Sequence, residues 1–190
     1  MRLFLPVLLG FALAAPVSVP AQTNPFGGPP LVEAAKSGDL AEVRKFLLLG
    51  ENPNRAGTDK MTPLMHAANQ GRADIAVALL RAEAWLDLRD RDGNTALIWA
   101  ASNGSALVVT LLADAGANVD MADNQGKTAL MKAATAGHDK VVDALIKLGA
   151  NVELADYTGK SAIAWARQER HWPIVRRLHR AGAKLLETTQ

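Results

Sequence analysis

No cysteine occurs among the 190 residues. Disulfides, thiolate nucleophiles and cysteine metal ligands are excluded together, and so is a lipid anchor on a lipobox cysteine. The compartment is not fixed by this, because an exported protein can simply avoid thiols. Strong charge of one sign is also missing: 21 Lys and Arg face 19 Asp and Glu, a formal net charge of +2. No overall field therefore draws the chain to nucleic acid or to a membrane. The pI near 9.0 reflects this small excess. Catalytic patterns are absent as well. No G-x-S-x-G surrounds Ser37, Ser102, Ser105 or Ser161, which read as capping or turn residues. The glycines form no phosphate-cradling loop, and no acid, base and nucleophile cluster in the sequence. What remains is 49% hydrophobic and 21% charged, the composition of an ordinary globular domain.

One apolar run stands at the start. Met1-Arg2 is followed by Leu3 to Ala15, then by Pro16-Val17-Ser18-Val19-Pro20-Ala21. Val19 and Ala21 are small enough for the −3 and −1 positions of signal peptidase, so residues 1–21 are expected to be a signal peptide cut after Ala21. A membrane anchor is the competing reading. It is disfavoured because the run is shorter than the roughly 20 residues that span a bilayer, and Pro6 and Pro16 interrupt or flank it. The mature chain is expected to start at Gln22, to be periplasmic or secreted, and to meet a membrane only through the leader before cleavage.

The rest repeats. Thr62, Thr95, Thr128 and Ser161 are 33 residues apart, as are Leu64, Leu97, Leu130 and Ile163. Ala67-Ala68, Ala100-Ala101 and Ala133-Ala134 keep the grid, and so do Gly71, Gly104 and Gly137 and Asp90, Asp123 and Asp156. Leu31, Ala34-Ala35 and Gly38 extend it backward without insertion. Such a period signals stacked supersecondary units. Each threonine sits where a helix starts, and its hydroxyl suits a free backbone N–H. Paired alanines let neighbouring helices approach closely. Gly71, Gly104 and Gly137 suit the left-handed end of a first helix. Second helices then start near Asp74, Leu107 and Lys140, with Val141, Val142, Leu145 and Ile146 as the apolar stripe of one of them. Asp92-Gly93 and Gln125-Gly126 are turn dipeptides. The repeats run 24–56, 57–89, 90–122, 123–155 and 156–188, within a domain 22–188 and a tail 189–190.

The chain resembles the ankyrin-repeat family. Thr62-Pro63-Leu64-Met65-His66-Ala67-Ala68 and Asp123-Asn124-Gln125-Gly126-Lys127-Thr128-Ala129-Leu130 match its core pattern, and Gly116-Ala117-Asn118 and Gly149-Ala150-Asn151 its closing signature. The departures are alanine for the motif proline in three repeats, no histidine at the motif's own histidine position, and Glu83 where Gly50, Gly116, Gly149 and Gly182 set the pattern. The resemblance implies an all-α solenoid of five 33-residue helix-turn-helix repeats with projecting β-hairpin turns, an exported protein of bacterial type, and a binding role without catalysis.

Terminal repeats of a solenoid should be polar outside. Glu42 stands where Ile75, Val108, Val141 and Ile174 stand in the others. Arg167 replaces Ala68, Ala101 and Ala134, and His179 replaces Leu47, Leu80 and Ile146. Both ends are therefore expected to be capped, as in a complete solenoid. Arg44-Lys45 and Arg176-Arg177 hold the same two positions in both caps, although opposite caps expose opposite faces. The histidines His66, His138, His171 and His179 read as residues of a solvated face. His138 and His171 share a repeat position, so about 10 Å should separate them, too far to share a metal or a proton. No metal, cofactor or small-molecule substrate is expected.

In the family, ligands bind the concave face of turn tips and first helices. The resemblance carries this onto Asp59 and Met61; Arg91, Asp92 and Asn94; Asn124, Gln125 and Lys127; Tyr157 and Lys160; and the helix positions His66, Trp99, Asn103, Lys132 and Trp165. Trp99 and Trp165 read either as binding anchors or as partly packed core. Charge is unequal along the chain. Residues 22–156 carry 13 basic and 17 acidic groups, net −4, and residues 157–190 carry 7 basic and 2 acidic, net +5. The basic end reads as a solvated polar cap or as a docking patch for an acidic partner. The expected partner is another protein, not nucleic acid, bound by a monomer. The leading role is an accessory or protective factor of an exported enzyme. The alternative is an inhibitor or immunity protein that blocks an exported toxin or enzyme.

Overall fold

All four grid hydroxyl residues start helices, and three of them cap the helix with a hydrogen bond. Thr62 Oγ1 accepts from the Met65 amide at 3.3 Å, Thr95 from Ile98 at 3.3 Å and Thr128 from Met131 at 3.4 Å. Ser161 holds the equivalent place but makes no capping bond, and its buried hydroxyl has no partner. A Schellman-like or left-handed turn follows each first helix, and the second helix runs back antiparallel.

The computed structural model describes residues 28–182. The expected leader (1–21) and tail (189–190) lie outside the described residues. Among the described residues ten helices form five pairs: α1 (Pro30–Ser37) with α2 (Leu40–Leu48), α3 (Pro63–Asn69) with α4 (Ala73–Arg81), α5 (Ala96–Ser102) with α6 (Ala106–Asp114), α7 (Ala129–Ala136) with α8 (Asp139–Lys147), and α9 (Ala162–Gln168) with α10 (Trp172–Arg180). First helices pack on first helices and second on second, in chain order. No strand occurs among the described residues. The projecting turns are tight loops, two of them closed by a single antiparallel bridge at Ala122–Thr128 and Ala155–Ser161.

One continuous core runs from Leu31 to Leu178. The alanine pairs at 67–68, 100–101 and 133–134 are fully buried, so first helices meet with nothing larger than a methyl between their backbones. Leu79, Val109, Leu112, Val142 and Leu145 fill the space to the second helices. A buried leucine or isoleucine contributes roughly 1.5–3 kcal/mol, and because one core runs through all five pairs, stacking is a main source of stability.

The end positions behave as their polarity dictates. Glu42 is half-buried, and Arg167 and His179 are exposed. The shared basic pairs also separate. Lys45 pairs with Glu42 in its own helix at 2.9 Å. Arg177 instead reaches back to the preceding pair, with Asp139 at 2.8 Å and Asp143 at 3.0 Å. The same sequence position thus serves one cap within its helix and the other across an interface.

Among the described residues three non-glycines adopt positive φ: Lys60 (62°), Glu83 (59°) and Arg170 (61°). Each occupies a grid position that glycine holds in the other repeats. Glu83 aligns with Gly50, Gly116, Gly149 and Gly182, all of positive φ. Left-handed backbone costs a residue with a Cβ on the order of 1 kcal/mol. Glu83→Gly is therefore expected to stabilise the chain by about 1 kcal/mol, read as a higher Tm or urea midpoint. An unchanged or lower midpoint would show that the Glu83 side chain makes a contact worth more than the strain.

Candidate functional site

The turn tips are built around one carboxylate each. In the last three tips the backbone closes from Asp90 N to Asn94 O, from Asp123 N to Lys127 O and from Asp156 N to Lys160 O, at 2.9–3.0 Å. One oxygen of each aspartate accepts two amides of its own turn: Asp92 and Asn94 on Asp90, Gln125 and Lys127 on Asp123, Thr158 and Lys160 on Asp156. The other oxygen reaches the first helix nine residues on. Asp90 Oδ2 accepts Trp99 Nε1 at 2.9 Å, Asp156 Oδ2 accepts Trp165 Nε1 at 2.9 Å, and Asp123 Oδ2 meets Lys132 Nζ at 2.7 Å. Each of these three tips is thus pinned to its helix by a buried acid. Burial alone would push Asp123 up, but the Lys132 ammonium and the Lys127 and Gln125 amides hold it below the usual carboxylate range. Asp156 is held down in the same way, against its burial, by Thr158, Lys160 and Trp165.

The second repeat lacks that acid, with Gly57 in its place. Asp59, two residues on, caps the Met61 amide at 2.9 Å and lies 3.7 Å from His66 Nε2. Burial lowers the pKa of the His66 imidazole, against the pull of Asp59 in the other direction.

Neighbouring tips are also tied to each other. Asn124 N donates to Asp92 O at 2.9 Å and Tyr157 N to Gln125 O at 3.1 Å. Arg91 donates to Thr58 O, and Asn124 Nδ2 to Arg91 O, both at 3.1 Å. Behind the tips, Asn54, Asp87 and Asp120 accept the amides of Trp85, Asn118 and Asn151. The tips form a row with fixed spacing, since each is bonded to the next and the last three also to their own helices.

On this frame the expected contact residues divide. Asp59, Arg91, Asp92, Asn103, Asn124, Gln125 and Tyr157 are exposed. Met61, Trp99, Lys127, Lys132, Lys160 and Trp165 are half-buried, so the two tryptophans are neither free anchors nor full core: their indole N–H is held by an acid and part of the ring stays open. His66 and Asn94 are buried, at 6% and 7% exposure. Neither offers its side chain to a partner. Asn94 spends its amide on Asp90, because the tip needs its donor inward.

The histidines also differ from the solvated face expected of them. His66 is buried, and only His179 is exposed. His138 Nε2 lies 2.9 Å from Ser102 O and His171 Nε2 3.1 Å from Thr135 O. Arg72 reaches Gly38 O from the same repeat position. These side chains close the end of the preceding first helix, whose last carbonyls have no helical partner. The approach needs glycine there: a Cβ on Gly104 would fall 2.8 Å from the His138 ring. His138 and His171 are stitches between repeats. Sequence reading missed both this and the tip aspartates' second bond, although Asp90, Asp123 and Asp156 were visible on the grid. The signal was the constant nine-residue step from each aspartate to Trp99, Lys132 or Trp165.

Among the described residues no group of three His, Asp or Glu is placed to hold a metal ion, and no helix is long and apolar enough to cross a membrane. The architecture is that of an all-α repeat solenoid with a row of fixed turn tips. A family model for ankyrin repeats (three copies) matches residues 31–123 and 115–189, and the chain belongs to the ankyrin-repeat family. A search of the curated proteins returned no match. Ankyrin repeats are in general protein–protein interaction modules and are typically non-catalytic.

Proposed function

We propose that the chain is a non-catalytic module that acts outside the cytoplasm and binds one partner protein through its turn tips and first helices, as an accessory or protective factor of an exported enzyme. The observation that carries the binding face is the contrast within each tip. The backbone and the buried aspartate are held by the same bonds in repeat after repeat, while the exposed slots differ: Asp59, Asp92, Gln125 and Thr158 share one of them. A row of unlike side chains on a rigid frame suits recognition, because little entropy is lost on binding.

The reading is tested once a partner is captured from a periplasmic extract. Arg91→Ala combined with Lys127→Ala is expected to weaken binding by at least about 2 kcal/mol. Normal binding by that variant, with binding lost in Arg176→Ala/Arg180→Ala, would move the docking surface to the terminal helix. Export is supported by the leader-like residues 1–21. Intact mass of the protein from a periplasmic fraction is expected to place the first residue at Gln22. Full-length chain in the membrane fraction would refute it.

A further inference from the structure

At the fourth and fifth tips two ammonium groups share one aromatic ring. Lys127 Nζ lies 4.1 Å and Lys160 Nζ 4.5 Å from the centre of the Trp165 ring. The ring cannot swing away, because Asp156 holds its N–H. Two cations gathered over one plate would ordinarily attract a carboxylate of the same chain. Among the described residues none is supplied: Lys160 Nζ bonds only the neutral Gln168 Oε1, at 2.6 Å, and Lys127 makes no ion pair. The nearby carboxylates are engaged: Asp156 accepts from Thr158, Lys160 N and Trp165, Asp123 holds Lys132, and Glu169 accepts from Gln168. By contrast, Lys45, Arg72 and Arg177 all have carboxylate partners.

Tyr157 completes the patch. It is 81% exposed, and its ring lies where a Cβ on Gly126 would come within 2.8 Å of it. An aromatic side chain this open, packed against the residue before Lys127 and on the same turn as Lys160, gives these tips apolar area and positive charge together. A cation over an aromatic face at an exposed site is weakly held, so either lysine can leave the ring for a stronger anionic partner.

We infer that Lys127, Lys160, Trp165 and Tyr157 form the recognition site for an acidic segment of the partner protein, with two of its carboxylates meeting the two ammonium groups and its chain lying on the tyrosine. This rests on the reading of the tip face as the binding face. It differs from docking on the basic terminal helix, whose exposed arginines Arg176 and Arg180 lie outside the tips.

The test uses the full mature chain and fluorescein-labelled hexaglutamate, with hexaglutamine and a labelled hexathymidylate as comparison probes, read by anisotropy. At about 0.01 M salt the screening length is about 30 Å, and at about 0.1 M it is about 10 Å, so binding of hexaglutamate is expected to weaken between the two. Lys127→Gln/Lys160→Gln keeps most of each side chain's length without the charge. It is expected to weaken hexaglutamate at least about tenfold, against less than about twofold for Arg176→Ala/Arg180→Ala. Equal losses in the two variants, no loss in the lysine variant, or binding of hexathymidylate as tight as that of hexaglutamate would each overturn the inference. If hexaglutamate fails to bind while Arg91→Ala still weakens the captured partner, the acidic-segment inference falls and the tip face stands. If the partner also ignores Arg91→Ala and Lys127→Ala, the reading of the tip face falls with it.

Discussion

A chain ending at Ala155 is expected to aggregate or to lose at least about 4 kcal/mol of stability. Removing the fifth helix pair uncovers the faces of α7 and α8 that it buries, including Leu130, Val142, Leu145 and Ile146. It also removes Ile163, Ile174 and Leu178, each fully buried. The Arg177 fork onto Asp139 and Asp143 goes too, but those groups are partly exposed, and water screens such pairs so that they add little. The apolar term therefore decides the outcome. Urea denaturation with light scattering measures it. A monomeric truncation with an unchanged midpoint would mean that the fifth pair serves docking alone.

Asp90→Ala is expected to cost about 3 kcal/mol, because the buried carboxylate accepts from four donors. They are the Asp92 and Asn94 amides, the Asn94 side chain and the Trp99 indole. Water enters the opened turn and offsets part of the loss, which keeps the figure below the sum of four bonds. Trp99 emission should shift to the red as its ring loses its anchor. Asp92→Ala in the same tip provides the contrast: this carboxylate is exposed and makes no hydrogen bond among the described residues, so its loss is expected to stay within about 0.5 kcal/mol. Equal, small effects of the two substitutions would show that the tip is held by its backbone alone. A large effect of Asp90→Ala on binding as well would follow from disorder at Arg91 and Asp92, without either residue being changed.

Much of the frame was legible because stacking copies one local solution many times. Thr62, Thr95 and Thr128 cap as their type and place require. Glu83 has the left-handed backbone that its glycine counterparts implied. Lys60 and Arg170 share that conformation on two other glycine positions, and a reading that compared all three glycine series would have found them. Glu42 and Arg167 are polar where, among the described residues, no further pair covers them.

The site was less legible. Comparing equal positions of successive repeats reveals what is repeated, not what touches. His138 bonds a carbonyl 36 residues earlier, and Tyr157 donates to Gln125, 32 residues before it. Neither separation is the period, so neither shows in an alignment of the repeats. Exposure was equally hidden for Asn94 and Lys127, which share one repeat position. The first turns inward to Asp90 and the second outward over Trp165.

By itself the amino-acid sequence determined the 33-residue unit, its helix starts and turns, its apolar stripes and its polar ends. These follow from local backbone chemistry and from side-chain periodicity, which act within one unit. Only the tertiary structure decided which side chains of adjacent units meet. It turned three histidine and arginine positions into stitches, buried His66 and Asn94, and set two lysines over one tryptophan. The physical reason is that such contacts depend on the rotation and rise between stacked pairs, which are set by packing over the whole interface and not by any single residue.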